Sequence, residues 1–191
     1  MSPVTHFLAG WLAANADRLN RRERAAVTIT GIAPDLDGLG VIPEYLTRHS
    51  AHPLDWWSNY HHLLAHNLWF GLAAALIAFA VATKRWTTAL LALLAFHLHL
   101  LGDLVGARGP EGEQWPIFYF YPVSDRGWNW SGQWSLNAWP NFVITGAALV
   151  LTFYLAWKRG YSPLEMISNR ADRAFIATLR RRFPLPPESK L

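Results

Sequence analysis

The sequence predicts an all-α fold: a multi-helix integral membrane bundle with about three strong transmembrane helices plus two short N-terminal helices. Three observations carry this. Residues 67–83, 86–102 and 141–157 are apolar runs without a single Asp, Glu, Lys or Arg, close to the length of about 20 residues that a spanning helix needs. If these runs cross a bilayer, Arg18, Arg21, Arg22, Arg24, Lys84, Arg85, Lys158, Arg159 and every basic residue beyond them fall on one side, leaving Arg48, Arg108 and Arg126 on the other. That partition is the positive-inside pattern and assigns the basic side to the cytoplasm. Finally, Trp69 and Trp139 mark one interface while Trp86 and Trp157 mark the other, as an aromatic belt requires.

In chain order, Ser2-Pro3 opens a short helix over residues 3–15 that carries His6 in its first turns. No basic n-region precedes its apolar stretch, so no cleavable signal peptide is expected. A second short helix is expected over residues 21–33, broken by Pro34. The two form either a re-entrant or interfacial hairpin, or a packed pair shielded by longer helices. Residues 38–59 read as a loop or partly helical excursion, with Pro43, Pro53 and the Trp56-Trp57 pair. Residues 61–83 read as one long helix with a polar first turn, followed by the Lys84-Arg85 turn and a helix over 86–105. Residues 106–140 form a Gly, Pro and Trp-rich connection. The third strong candidate, 141–157, closes at Lys158-Arg159. Residues 1–160 are thus a membrane-embedded helical domain, and 161–191 a basic cytoplasmic tail. The tail holds a Ser162-Pro163-Leu164-Glu165 helix start, a helical stretch to about Arg182 and a disordered Pro-rich end.

Apolar residues make up 52% of the chain and charged ones 16%, against about 25% charged in ordinary globular domains. There is no Cys, which excludes disulfides, thiolate metal sites and cysteine catalysis. The net charge of +4 is split among membrane turns rather than gathered on a recognition helix, so nucleic acid is not an expected partner.

Chemistry-bearing residues collect at one level. His66 and Asp103 lie nearly symmetrically about the Lys84-Arg85 turn, so an antiparallel hairpin rising about 1.5 Å per residue brings them level. His99 and Asp103 are four apart, as are His62 and His66, and each pair shares a face if helical. His61 adds a further imidazole, and the two short N-terminal helices return His6 and the loop carboxylates Asp35 and Asp37 to that same end. His6, Asp35, His61, His66, His99 and Asp103 are the expected metal ligands. Asp37 is the candidate general base or metal bridge, and His62 the candidate for proton transfer. Nitrogen and oxygen donors without sulfur suit one or two divalent ions, zinc first, with manganese or iron as alternatives. His97 lies off the His99/Asp103 face and is assigned to packing or support. Trp115, Trp128, Trp130 and Trp134 are available to line an entry or to anchor at the interface.

Thr5-His6, Pro34-Asp35-Leu36-Asp37, His61-x4-His66 and His99-x3-Asp103, in this order, resemble the YdjM-like inner-membrane metal-dependent hydrolase family, also labelled LexA-binding. That family is thought distantly similar to zinc-dependent phospholipase C, and the resemblance covers about residues 1–125. It implies a bacterial inner (cytoplasmic) membrane location and hydrolysis of a phosphoester or lipid-like substrate by a metal-activated water. One stretch departs from the pattern. Where the family reads His-Arg-Gly-x-Thr-His-Ser, this chain has His61-His62-Leu63-Leu64-Ala65-His66-Asn67, keeping only the outer histidines. Two other readings stand beside the enzyme: a non-catalytic scaffold with a structural metal or His/Asp site, and a regulatory protein whose basic tail recruits an acidic cytosolic partner or anionic lipid. Expected partners are therefore membrane lipids, a lipid-like or phosphoester substrate, and a cytosolic protein at the tail.

Overall fold

Side-chain caps set several of the helix starts in the computed structural model, which describes residues 1–109 and 112–186. Ser2 Oγ accepts from Thr5 N and Pro3 occupies the first turn of α1 (Pro3–Ala14). Asn20 and Glu23 form a reciprocal capping box at α2 (Arg21–Ile32). The chain then runs through a 3-10 helix (Ala33–Gly40) into α3 (Val41–Thr47), and a loop leads to α4 (Trp56–Tyr60). Asn67 caps α5 (Leu68–Val81), accepting from Phe70 N at 3.0 Å. After the basic turn comes α6 (Arg85–Gly106), and after the long connection α7 (Trp139–Arg159), which ends at Gly160 in the left-handed conformation with φ of 83°. A 3-10 turn (Pro163–Met166) precedes α8 (Asn169–Arg182). Among the described residues there is no strand, only the isolated bridges Arg108–Ser135 and Ile117–Trp128.

The all-helical membrane fold holds, with two corrections of detail. The helix expected over 61–83 begins only at Leu68. Residues 61–67 are irregular, and His62 has a φ of 65°. Asn67 competes for the backbone of this stretch, its amide donating to Leu63 and Leu64 carbonyls while its oxygen caps α5. α2 ends at Ile32, just before Pro34 as expected, but Pro34 sits in the first turn of a 3-10 helix, where its missing N–H costs no bond, so the helical path runs on instead of opening into a loop. The stretch Arg21–Thr47 is therefore continuous enough to be one of three helical stretches long and apolar enough to cross a membrane, together with α6 and α7. α5, at 14 residues, reaches about 21 Å and is shorter than a bilayer core of about 30 Å.

α6 is the axis of the bundle, packing against α1, α2 and α5. α1 lies between α2, α6 and α7, which favours the packed-pair reading of the N-terminal helices over a hairpin lying in the interface. Close approach is made by small residues: a Cβ on Gly31 would stand 2.9 Å from the Cα of Gly10. Ala14, Val27, Ala92 and Ala95 fill the space at this crossing.

The basic segments meet at the turn end of the α5–α6 hairpin. Glu23 Oε1 accepts from Thr83 N at 2.9 Å and Lys84 N at 2.7 Å, and Lys84 Nζ reaches Asp17 at 3.1 Å. Arg24, buried, donates from both Nε and Nη2 to Glu165 at 2.7 Å and lies over the Tyr161 ring. The start of the tail is thus tied to α2. The Pro-rich end beyond residue 186, with Lys190, lies outside the described residues, as do Pro110 and Glu111 in the connection.

Candidate metal centre

At the other end of the bundle four segments deliver His and Asp side chains to one place. α1 brings His6, whose ring stacks on His99 of α6 at a centroid separation of 3.7 Å. The stack is allowed by Gly102: a Cβ there would come within 3.0 Å of His6 Cε1. Thr5 Oγ1, bonded to Thr145 Oγ1 at 2.6 Å, holds the start of α1 against α7. The 3-10 helix contributes Asp35 and Asp37, and the irregular stretch before α5 contributes His61, His62 and His66. The left-handed backbone at His62, a region His tolerates better than most residues, lets three imidazoles of this short stretch face inward. His62 and His66 therefore do not share a helix face. They gather through a bent loop, with ring centroids 4.4 Å apart.

Among the described residues two sets of ligand atoms lie close enough to hold metal ions: His6, Asp35 and His99 in one, His62, His66 and Asp103 in the other. Asp103 joins them. Its Oδ1 is 3.1 Å from His6 Nε2, and its Oδ2 is 3.0 Å from His99 Nε2 and 3.5 Å from His66 Nε2. Met1's amino group also contacts Oδ1. His66 and Asp103 are thus level, as the hairpin argument expects.

The tautomers explain why this cluster suits a cation. His99 Nδ1 lies 2.9 Å from the Gly31 carbonyl. A carbonyl only accepts, so Nδ1 carries the proton and a neutral His99 turns the lone pair of Nε2 inward. That lone pair meets Asp103 Oδ2, His66 Nε2 at 3.2 Å and Asp35 Oδ1 at 3.8 Å. Asp103 Oδ2, Asp35 Oδ2 and His62 Nδ1 are buried without a hydrogen-bond partner, an expensive arrangement unless something electropositive satisfies them. Burial opposes protonation of His66, but the carboxylates of Asp103 and Asp37 beside it outweigh this and push its pKa up to about 9. Burial, aided by His66, pushes His62 down to about 3, so it presents a neutral imidazole. The proton retained by His66 is the one a metal ion would displace.

Asp37 and His61 stand behind this centre. Asp37 Oδ2 is 2.9 Å from His66 Nδ1 and receives Ala65 N at 3.3 Å, while Oδ1 is 3.0 Å from His61 Nδ1. Both carboxylate oxygens are engaged with imidazoles, and His61 belongs to neither ligand set. His61 stacks on Trp57 at 3.8 Å and meets the edge of Trp115. These residues, with His62, Phe118 and Tyr121, line a cavity of about 540 Å³. Of the tryptophans considered for an entry, only Trp115 lines this cavity; Trp128 lies on a separate apolar one. His97 is off the centre, bonded to Leu93 O and Tyr119 OH at 2.8 Å each. Gly31 and Gly102 are invisible to a search for site residues because their contribution is a carbonyl and an empty space, neither of which is a side-chain signature.

No curated protein and no solved structure matches the chain. Its sequence does fit one family model, over residues 1–174. With the fit covering nearly the whole of a helical membrane bundle, the chain belongs to the YdjM inner membrane protein family.

Proposed function

We propose that the protein is a membrane-embedded metal-dependent hydrolase acting on a phosphoester or lipid-like substrate. The observation that carries this reading is the convergence of two nitrogen/oxygen ligand sets on Asp103, beside a cavity walled by aromatic rings. The donors suit zinc, with manganese or iron as alternatives, and the carboxylate of Asp103 stands where one group can serve two ions. A bound divalent cation supplies Lewis acidity toward a phosphoryl oxygen and lowers the pKa of a water to near neutrality.

The chain's own groups divide the remaining work. His6, Asp35 and His99 would hold one ion, and His62, His66 and Asp103 a second. Gly31 and Asp37 fix the ring orientation of His99 and His66 through their Nδ1 atoms. In this reading His61 and His62 exchange the roles their spacing indicates. His62 faces Asp103 as a ligand, whereas His61, oriented by Asp37 at the cavity wall, passes a proton to the leaving oxygen. Trp57 and Trp115 screen the imidazoles from water and offer apolar area to an amphiphile. The basic end, on this proposal, faces the cytoplasm and the His/Asp end the opposite side, supported by the gathering of basic segments at the α5–α6 turn.

The test is metal analysis of purified protein together with hydrolysis of lipid and water-soluble phosphoesters, for wild type and Asp103→Ala. Stoichiometric transition metal with chelator-sensitive turnover, both lost in the variant, is expected. Protein free of metal, with stability unchanged by chelation, refutes the metal centre. Bound metal with no turnover on any phosphoester supports the scaffold instead.

A further inference from the structure

We propose that a second site, at the basic end of the bundle, binds the phosphate headgroup of an anionic phospholipid. A cavity of about 690 Å³ lies between the loop after α1 and the last turn of α7. Arg18, Arg24, Lys158 and Arg159 all line it. Arg24 is neutralised by its two bonds to Glu165. The other three have no carboxylate within ion-pair range among the described residues. Asp17, beside Arg18 in sequence, gives its Oδ2 to Lys84. Arg159 Nη1 reaches only neutral oxygens, Asn15 Oδ1 at 3.1 Å and the Tyr161 hydroxyl at 3.5 Å.

Three cations with no carboxylate in ion-pair range among the described residues, Asp17 acting on Arg18 only from farther off, repel each other around one cavity, and the fold holds them there. Gly160, in the left-handed conformation, ends α7 immediately after Lys158 and Arg159, so both project from the final turn. Arg180 of α8 donates to the Trp157 and Lys158 carbonyls at 2.9 and 3.1 Å, occupying acceptors that would otherwise attract these side chains. Guanidinium groups match phosphate oxygens in geometry and charge. The carbonyl dipoles at the end of α7 add negative potential, which favours keeping cations there. A bound phosphate then completes the charge balance.

The apolar part of the lining selects a lipid over a free anion. Leu19, Tyr154 and Leu155 form the wall beside the cations. From Tyr154 an exposed strip of α7, through Leu151 and Val150, leads away from the cavity along a helix long and apolar enough to cross a membrane. A phosphate at the cations would place its acyl chains on that strip. Basic pockets between membrane helices on the cytoplasmic side are suited to anionic headgroups, each cation near the surface being worth about 1 kcal/mol.

The experiment uses the full chain, purified and delipidated in neutral detergent. Phosphatidylglycerol and phosphatidylcholine with matched acyl chains are titrated and bound lipid is counted by native mass spectrometry. Phosphatidylglycerol should bind at least about tenfold more tightly. The triple variant Arg18→Gln/Lys158→Gln/Arg159→Gln should reduce it to the phosphatidylcholine level. A triple variant of equal charge on the exposed face of α8, Arg170→Gln/Arg173→Gln/Arg181→Gln, should bind as wild type does. If the first triple variant is not monodisperse, Lys158→Gln and Arg159→Gln are measured singly, each expected to weaken binding about fivefold. Equal binding of the two lipids by wild type, equal loss in the α8 variant, or unchanged binding in the single variants overturns the proposal. Displacement of phosphatidylglycerol by inorganic phosphate at equal concentration overturns the choice of a lipid.

Discussion

Asp37→Asn separates two roles that the same carboxylate can play. In the structure Asp37 belongs to neither ligand set and reaches the centre through His66, a member of one of them. It accepts from His66 Nδ1 at 2.9 Å and His61 Nδ1 at 3.0 Å. Both rings then present Nε2 away from the carboxylate with the lone pair available when neutral. An asparagine has nearly the same shape but one oxygen and one amide nitrogen. Only one imidazole can keep its Nδ1–H tautomer; the other meets a donor and must move its proton to Nε2. If that ring is His66, a lone pair is withdrawn from the centre. Losing a carboxylate that orients a ligating histidine costs about 10–100-fold in metal affinity, or about 1.4–2.8 kcal/mol.

The assay is competitive metal titration against a chromophoric chelator, run on wild type and variant in the same detergent, with turnover measured at saturating metal. The positioning role predicts weaker metal binding whose effect on turnover is partly rescued by excess metal. A general-base role predicts unchanged affinity with turnover down by about 10²–10⁴. That second outcome refutes the positioning role. So does a loss of affinity as complete as that of Asp103→Ala, which would make Asp37 a ligand.

Removing the metal should lower the thermal midpoint, since an ion at 100 times its dissociation constant stabilises by about 2.7 kcal/mol; differential scanning fluorimetry with and without chelator checks this. Gly31→Ala places a Cβ 2.9 Å from Gly10 Cα, forcing α1 off α2 and carrying His6 from His99. Overpacking of this kind costs about 1–3 kcal/mol, and metal titration should show weaker binding as well as a lower midpoint. Glu165→Gln leaves Arg24 buried without its carboxylate, with a loss of about 3–5 kcal/mol in detergent unfolding and no change in metal affinity. His97→Phe should leave metal content unaltered, because its bonds go to Leu93 and Tyr119 alone.

How much of the fold and the centre is legible in the sequence follows from how local each signal is. The helices α6 and α7 are readable because hydropathy and charge run along them for five or six turns. His66 facing Asp103 is readable because two antiparallel helices joined by a short turn have one register. The unwinding of residues 61–67 is not, because an apolar run gives no sign of where its first turn stops. The deciding group is Asn67, whose amide and oxygen both bind backbone. Pro34 marks the end of α2 correctly but hides the 3-10 helix that follows, because a proline is accommodated at the start of a new turn. The sequence motif separates Asp35 as ligand from Asp37 as base or bridge, but not the engagement of Asp37 with two imidazoles, which depends on the fold of residues 61–67. Two residues apart in a 3-10 helix they face differently, Asp35 toward His99 and Asp37 toward His61 and His66.

The two ends of the bundle place opposite demands on the same helices. At the His/Asp end, α1, α2 and α6 must approach closely enough for His6 to stack on His99 and for Gly31 to reach His99 Nδ1. Small residues at Gly10, Gly31 and Gly102 permit this but contribute little apolar area of their own. A bundle held only there would lose its N-terminal helix easily, since α1 has 12 residues and isolated helices of about 12–15 residues are marginal. Anchoring therefore falls to the basic end, where Glu23 caps the α5–α6 turn and Arg24 clamps the start of the tail through Glu165. Both residues sit in the first turn of α2, and Gly31, whose carbonyl orients His99, sits in its last. α2 is thus a rigid connection between the two ends. A perturbation at Arg24 should loosen the bundle as a whole before it alters the metal centre, whereas one at Gly31 should alter both together.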